Sequence, residues 1–466
     1  MKRTFAFLIV ILFTNLLFAQ TKNYTTAIDN FQTNFNAERY DEIFASFSPE
    51  MKQALSLENT KKFLADLRNN VGKIESKEYV YSEQGTYIMY KTKFQKAIME
   101  VNISLNEQNQ INGLFTKPFK EPATKQNKTI NALSSYPKEI AGIVFAKTKE
   151  LPNNTQLSIA INQNEKTNYY GIIKLNDTIK PIENQHEIFE IGSITKVFTS
   201  TILASLVEDK KIKLTDNINA YYPFTFKDSL KLSFESLANH TSGLPRLPEN
   251  FDLSNNINPY KNYGKAEIEA YLKNLLKPEN KATKTYSYSN LGTGLLGYTL
   301  GLSQKTSFQK LLQQRVFNKY NMKNSFISSQ NLGTRLVKGL NKNGETVANW
   351  DFDVLFAAGG ILSTTEDLAI FANAQFNPKN KELELTRKTT FDIADKTKIG
   401  LGWHKLGITN AEDLIWHNGG TGGYSSSITM KIEKKTAVII LSNVFGISDK
   451  IDALSYELIN IINETK

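Results

Sequence analysis

The stretch from Ile191 to Val207 contains one charged residue, Lys196. An apolar run of this length with no wet side folds as a buried helix. That forces a choice on the lysine. Burying a lone ammonium costs several kcal/mol unless it is paired or loses its proton, and burial lowers a lysine pKa by up to ~3–5 units. Ser193 precedes Lys196 by three residues, so on a helix the two side chains are neighbours. A serine beside such an amine has a base that works near neutral pH. The competing reading makes Ser193 a helix cap and lets Lys196 reach out to water. In that reading a lysine occupies the position where a capping box would carry Glu or Gln.

Ser-x-x-Lys alone is a weak signal, because the pattern also begins at Ser135 and Ser307. Pro137 precedes the lysine in the first of these, which disfavours the helix that would align the pair. Ser307 reads as the N-cap of an amphipathic helix over 308–317, with Lys310 on its wet side. Ser193 differs from both in following Gly192 and opening the apolar helix.

Two further segments carry chemistry. Tyr288-Ser289-Asn290 precedes a helix-like run with glycines at 292, 294 and 297, which permit close packing. A tyrosine near a buried amine serves as phenolate or as proton shuttle, and Asn290 offers an amide donor and acceptor to a substrate. The other Tyr-x-Asn, Tyr260-Lys261-Asn262, lies between Pro259 and Gly264 and reads as polar loop. The second segment, His417-Asn418-Gly419-Gly420-Thr421-Gly422-Gly423-Tyr424, stands just before a strand-like run. It lacks the Gly-Lys-Ser/Thr ending of a phosphate loop. Its glycines let substrate lie close to backbone, with an N–H free to meet a developing oxyanion.

The rest of the chain sets the frame. Lys2 and Arg3 precede an apolar stretch, Phe5 to Phe18, with Ala19 at a cleavage point. This predicts a signal peptide over 1–19 and a periplasmic or secreted protein, with an uncleaved anchor as the alternative because Leu17 suits the cleavage site poorly. No second transmembrane candidate follows. The 466 residues contain no cysteine, which excludes disulfides and thiolate chemistry. The net charge of +10 is spread along the chain and mixed with acids, so it reads as solvated surface and not as a nucleic-acid footprint. Helical patterns over 24–47 and around Phe63–Leu67 precede strand-like runs at 78–81, 87–94, 97–105 and 111–115. They predict a small α+β domain over 20–117, without a catalytic constellation. Polar, proline-containing 118–137 reads as a linker, and 138–466 as the second domain. There, strand-like segments at 156–162 and 167–175 read as a hairpin around Asn164 and Glu165, and strands return at 425–432 and 436–442. A terminal helix over 451–462 closes the chain. Strands at both ends with helices between predict one sheet built from the two ends, a helical insertion, and a site between them.

Taken in this order and spacing, the three motifs resemble those of the penicillin-recognising serine enzymes, chiefly the class C β-lactamases and related DD-peptidases and esterases. His240-Thr-Ser-Gly-Leu-Pro245 and Ala358-Gly-Gly-Ile-Leu-Ser-Thr364 extend the likeness, which spans roughly residues 156–444. The resemblance implies a two-lobed serine β-lactamase-like fold, an antiparallel sheet flanked by helices with a helical insertion. The layout of 20–117 is similar to small NTF2-like domains. It also implies an acyl-enzyme on Ser193, Lys196 as proton acceptor or positioner, Tyr288 as proton shuttle, and Asn290 holding a substrate amide. Backbone N–H groups of Ser193 and Gly420 would form the oxyanion hole, with Gly419 beside them. His417 would stand near the substrate carboxylate, where class C enzymes carry lysine, and that departure puts efficient antibiotic hydrolysis in doubt. The implied substrate is a β-lactam, a D-Ala-D-Ala-type peptide from peptidoglycan, or a short ester, with no cofactor and no metal. The rival function is a penicillin-binding or peptidoglycan-sensing protein acylated once without turnover. No Gly-x-Ser-x-Gly occurs, against an α/β-hydrolase. His186, His240, His404 and His417 lack ligand spacing, against a metallo-hydrolase. Of these, His240 reads as a stabiliser of the loop ending at Pro245, and His404 as a packing or rim residue.

Overall fold

The computed structural model describes residues 23–83, 87–106, 108–119, 129–252, 257–277, 284–407 and 413–464. The expected signal peptide, the turn at Gly85 and much of the expected linker lie outside them. The chain divides into two compact units, Met1–Gln126 and Asn127–Lys466.

The first unit is a small α+β fold. A helix over 23–36 is followed by Tyr40–Ala45, Pro49–Ala54 and Leu57–Val71. Ser48 and Ser56 cap the last two of these, each side chain accepting a backbone N–H three residues on, and Gly72 at φ +82° ends the longest. Four antiparallel strands follow in sequential order: Ile74–Glu83, Tyr87–Phe94, Ile98–Leu105 and Ile111–Pro118. Val101 and Ile103 alternate with Glu100 and Asn102 along the third strand, so one set packs on Phe31, Phe35 and Leu64 in the core.

The second unit is organised by the pairing of Gln156–Gln163 with Thr436–Ser442, running antiparallel from Leu157↔Ser442 to Gln163↔Thr436. Segments near the two ends of this unit thus form the middle of one sheet, as the sequence predicts. Ala437, Ile439 and Leu441 point into one core while Val438 and Ile440 point into another. The strand is therefore buried on both faces, which is why it reads as a continuous apolar run. Helices Thr195–Glu208 and Thr365–Gln375 contribute to the first core, and Lys138–Thr148 and Ser448–Glu464 to the second. The hairpin at Asn164 and Glu165 forms with both residues at positive φ, as a tight primed turn requires. Its return strand splits at Tyr170 into Lys166–Tyr169 and Gly171–Leu175.

Several boundaries differ from the sequence reading. Ile130–Asn131, inside the expected linker, pairs in parallel with Thr178–Ile182 and belongs to the large sheet. The helix Lys138–Thr148 and the strands at 391–394, 397–399, 404–406 and 414–420 have no clear periodic signature, being short or interrupted by polar residues. His417–Gly420 forms the end of the strand Leu414–Gly420 and does not merely precede one. Its partner, Ser425–Lys431, follows the Thr421–Tyr424 turn.

Candidate active site

The apolar helix begins as a 3-10 turn, Gly192–Ile194, and becomes α-helical at Thr195–Glu208. No side chain caps either segment, so the capping reading of Ser193 does not describe this structure. Ser193 is partly exposed while Lys196 is buried, 1% accessible. The lysine does not reach water. Its Nζ lies 3.0 Å from Ser193 Oγ, 2.9 Å from Asn290 Oδ1 and 2.7 Å from the carbonyl of Ala358. Burial, aided by the positive charge of Arg246, holds its pKa well below the ordinary lysine value. A neutral amine has two N–H donors and one lone pair. Asn290 Oδ1 and the Ala358 carbonyl can only accept, so they take the two donors. In that neutral form the lone pair would be left for the Ser193 hydroxyl, the one partner able to give up a proton.

Tyr288 sits against this pair. Lys196 Nζ is 4.9 Å from the centre of its ring. Desolvation pushes the phenol up to about 12, while a hydrogen bond with Ser193 acts in the opposite direction. The resting side chain is therefore the protonated phenol and not the phenolate. Ser289 caps the helix Asn290–Ser303 through its hydroxyl, 2.8 Å from the Gly292 nitrogen, and so fixes both Tyr288 and Asn290. Gly294 and Gly297 lie where a Cβ would strike Leu355 and Ala357, which brings this helix close to the 355–358 segment.

The glycine-rich strand closes the other side. Gly192 has φ +51°, and a Cβ there would lie 2.5 Å from the nitrogen of Gly420. A Cβ on Gly419 would meet the Ile191 carbonyl and lie 2.9 Å from the nitrogen of Ser193. Only glycine at 192 and 419 lets the backbones of 191–193 and 419–420 approach this closely. Ser426 Oγ ties them further by donating to the Ile191 carbonyl at 2.9 Å.

His417 is at the site but carries no charge there. It is 1% accessible, and Nδ1 lies 2.6 Å from the carbonyl of Asn418, so Nδ1 bears the hydrogen. Burial first, then His404 and Lys196, hold its pKa well below 6.5. The resemblance places His417 near a substrate carboxylate without fixing its charge; here the ring is neutral, and its buried Nε2 has no hydrogen-bond partner among the described residues. Asn418 in turn donates to Asp452 Oδ2 at 2.5 Å, anchoring the strand to the terminal helix.

Sequence reasoning did not bring four neighbours to the site. His240 is not simply a loop stabiliser: its ring centroid lies 4.6 Å from that of Tyr288, and its Nδ1 accepts the Ser289 N–H at 3.2 Å. Tyr260, read as polar loop, is buried. Its hydroxyl accepts from Asn290 Nδ2 at 2.9 Å and its ring stacks on Phe352. Trp350 lies 5.5 Å from Tyr260. Arg246 places its guanidinium 5.2 Å from the Tyr288 ring centre. Two of the four had a sequence cue: His240 opens the segment His240–Pro245 and Arg246 follows directly on it. Ser135 and Ser307 are not at the site, and Ser307 caps Phe308–Leu312 as expected. His404 packs on Trp416 and hydrogen-bonds Tyr286 at 2.8 Å. Among the described residues, no group of three or more His, Cys, Asp or Glu side chains is arranged to hold a metal ion.

Comparison with known proteins finds relatives of the second unit. The chain is 26% identical to a beta-lactamase from Pseudomonas fluorescens over 62% of its own length and 88% of that protein. It is 24% identical to a beta-lactamase from Providencia stuartii, over 62% of this chain and 71% of the other. Protein flp of Staphylococcus aureus is matched at 24% identity over 55% of this chain and about half of its own length. Among solved structures, a beta-lactamase/D-alanine carboxypeptidase from Pseudomonas syringae superposes with a TM-score of 0.59 at 21% identity, covering 70% of this chain and 99% of that one. A class C beta-lactamase in complex with cefoxitin gives 0.59 at 22%, covering 69% and 97%. These structural likenesses establish the fold. Residues 29–114 match a family described as a protein of unknown function, DUF3887. The beta-lactamase family profile matches residues 152–459, about two thirds of the chain, which therefore belongs to the beta-lactamase family of serine hydrolases.

Proposed function

We propose that the second unit cleaves an amide or ester carbonyl through an acyl-enzyme on Ser193. The observation that carries this reading is the placement of Lys196: its buried Nζ is within hydrogen-bond distance of Asn290 Oδ1, the Ala358 carbonyl and Ser193 Oγ, and of these only the serine hydroxyl has a proton to give up. In the acylation step Ser193 Oγ bonds to the carbonyl carbon as its proton passes to Lys196. Backbone N–H groups of Ser193 and Gly420 meet the oxyanion. The Tyr288 phenol gives a proton to the leaving group and is reprotonated from Lys196, so the site ends neutral. Water then repeats the sequence on the acyl-enzyme and releases the acid. Asn290, held by Lys196 and Tyr260, orients an amide of the substrate. The names of the neighbours, beta-lactamase and D-alanine carboxypeptidase, frame the substrates to try: β-lactams, D-Ala-D-Ala peptides and short esters. The leader-like residues 1–19 support an exported protein acting outside the cytoplasm.

The test is covalent labelling with a fluorophosphonate or penicillin, read by intact mass. Wild type gains one adduct and Ser193→Ala gains none, while Ser135→Ala and Ser307→Ala label normally. An adduct that persists in Ser193→Ala defeats the assignment. Steady release of product after the first adduct identifies an enzyme, and a single burst identifies a sensor.

A further inference from the structure

We propose that Glu190, held as a neutral acid, is a positioning residue for acylation: it ties the loop at 349–350 to the turn at 421–424 and so fixes the place of the Gly420 N–H that meets the oxyanion. The inference rests on the acyl-enzyme reading above and adds a residue that acts through the backbone.

Glu190 stands three residues before Ser193, on the short strand Phe189–Glu190, and is 4% accessible. It takes no part in the proton transfers, so its burial needs another reason. A buried carboxylate is costly unless donors meet its charge. Here the donors are unequally shared. Oε1 accepts from Asn349 Nδ2 at 2.6 Å and from the Trp350 N–H at 2.9 Å. Oε2 is buried, as is Thr421 Oγ1, and neither has a partner at full hydrogen-bond geometry among the described residues. A carboxylic acid fits this arrangement. Its carbonyl oxygen takes both N–H groups, and its O–H has the Thr421 hydroxyl to donate to. Burial raises the carboxyl's pKa, with Asp351 adding a like charge, while the contacts with Thr421, Asn349 and Trp350 act against it. Tyr424, the other titratable neighbour, is a phenol that burial pushes above its ordinary value.

The segments that Glu190 joins shape the oxyanion side of the site. Asn349 Nδ2 also donates to the Tyr424 hydroxyl at 2.9 Å, and that hydroxyl donates to the Val337 carbonyl at 2.5 Å. A Cβ on Gly422 would lie 2.5 Å from Trp350 Nε1, so the loop rests on the turn itself. The Thr421 N–H closes the turn on the Tyr424 carbonyl at 3.1 Å, and Thr421 follows Gly420 directly. A carboxylate at this point would set a negative charge behind the N–H groups that must stabilise one. The neutral acid keeps the tie without that cost.

The experiment compares Glu190→Gln, Glu190→Leu and Thr421→Val with wild type. The readouts are kcat and KM on the best short ester, and the affinity of a boronic acid whose tetrahedral adduct on Ser193 puts an oxygen where the oxyanion forms. Gln reproduces the acid's pattern, a carbonyl oxygen for the two N–H groups and an N–H toward Thr421, so kcat and boronate affinity should stay within about threefold. Glu190→Leu leaves both N–H groups unmet. Its kcat should fall by about 10²-fold and its boronate affinity by a similar factor, with KM little changed and a cooperative melt retained. Thr421→Val removes the partner of Oε2 and should lower kcat and boronate affinity together by about tenfold, which keeps the test decisive if the Leu variant fails to fold. A Gln variant as impaired as Leu would show that the charged carboxylate is what matters and overturn the proposal. So would wild-type kcat in Glu190→Leu or Thr421→Val, a rise in KM at constant kcat, or a fall in kcat with boronate affinity unchanged. Intact mass after fluorophosphonate separates the two levels. No Ser193 adduct in wild type defeats the acyl-enzyme reading and this inference with it, whereas a normal adduct with any of those outcomes defeats this inference alone.

Discussion

The protonation state of Lys196 has a consequence that acylation kinetics can read directly. A lysine with an ordinary pKa near ~10.4 would be deprotonated in only about one molecule in 10³ at pH 7. If such a lysine were the base, the acylation rate would climb about tenfold per pH unit and gain roughly three decades between pH 7 and 10. Here the amine is buried, with Arg246 adding a like charge, and its pKa is held well below that value. The fraction able to accept the Ser193 proton at neutral pH is raised accordingly. The single-turnover acylation rate should therefore level off well before pH 10, where an unshifted lysine would still be titrating, and fall only on the acid side. Lys196→Met keeps the length and removes the lone pair, so it should lower the rate by roughly 10²–10⁴ across the range. Lys196→Arg, which cannot lose its proton, should be similarly impaired. The assay is intact-mass detection of the Ser193 adduct after rapid mixing, with circular dichroism to confirm folding at each pH. A rate rising tenfold per unit up to pH 10, or an Arg variant as fast as wild type, would show that Lys196 works as a cation and not as a base.

Other outcomes follow from the same geometry. Tyr288→Phe keeps the ring and removes the proton shuttle, so kcat should fall by roughly 10²–10⁴ with KM little changed, in steady-state assays on the best ester; a large rise in KM at constant kcat would make Tyr288 a binding residue. Gly192→Ala puts a Cβ 2.5 Å from the Gly420 nitrogen at φ +51°, so the two backbones must part and acylation should drop by about 10²-fold; labelling at the wild-type rate would show that their approach is unimportant. Burial and nearby Lys196 lower His404 to about 4. The unfolded chain, titrating near ~6.5, therefore binds that proton first, and stability is complete above pH 6.5 and lost as pH falls toward 4. The loss is about 3 kcal/mol, and His404→Phe should flatten that part of a urea-melt pH series.

What the sequence made legible was whatever is local or fully apolar. Ser193 and Lys196 stood out because a charge in an apolar helix is costly wherever the helix packs, and Tyr288 and Asn290 because they abut a glycine-bearing helix. The first unit's strands at 87–94 and 98–105 were legible from alternation. Tyr260 was not, because its place depends on which loops fold over the site and its neighbour Lys261 looks like ordinary surface, and Arg246 was marked only by following His240–Pro245. The charge of His417 was not legible: its sequence position says nothing of the burial and of the Asn418 carbonyl that fix it neutral.

The pairing of Leu157 with Ser442 also governs how this unit comes to be folded. Its two central strands are separated by most of the unit, and closing a loop that long costs about 5 kcal/mol before any ladder bond forms. Contacts this distant along the chain slow folding. As the ribosome lengthens the chain, Gln156–Gln163 waits without one of its two main partners until residue 442 has been made. A product that stops short of residue 436 lacks the strand that joins Gln156–Gln163 to Ser425–Lys431, so the sheet is left in two unconnected parts. It presents an apolar strand with an open edge, a template for self-association. Synthesis of this unit is therefore close to all-or-none, with the last strand and helix deciding whether anything before them is usable.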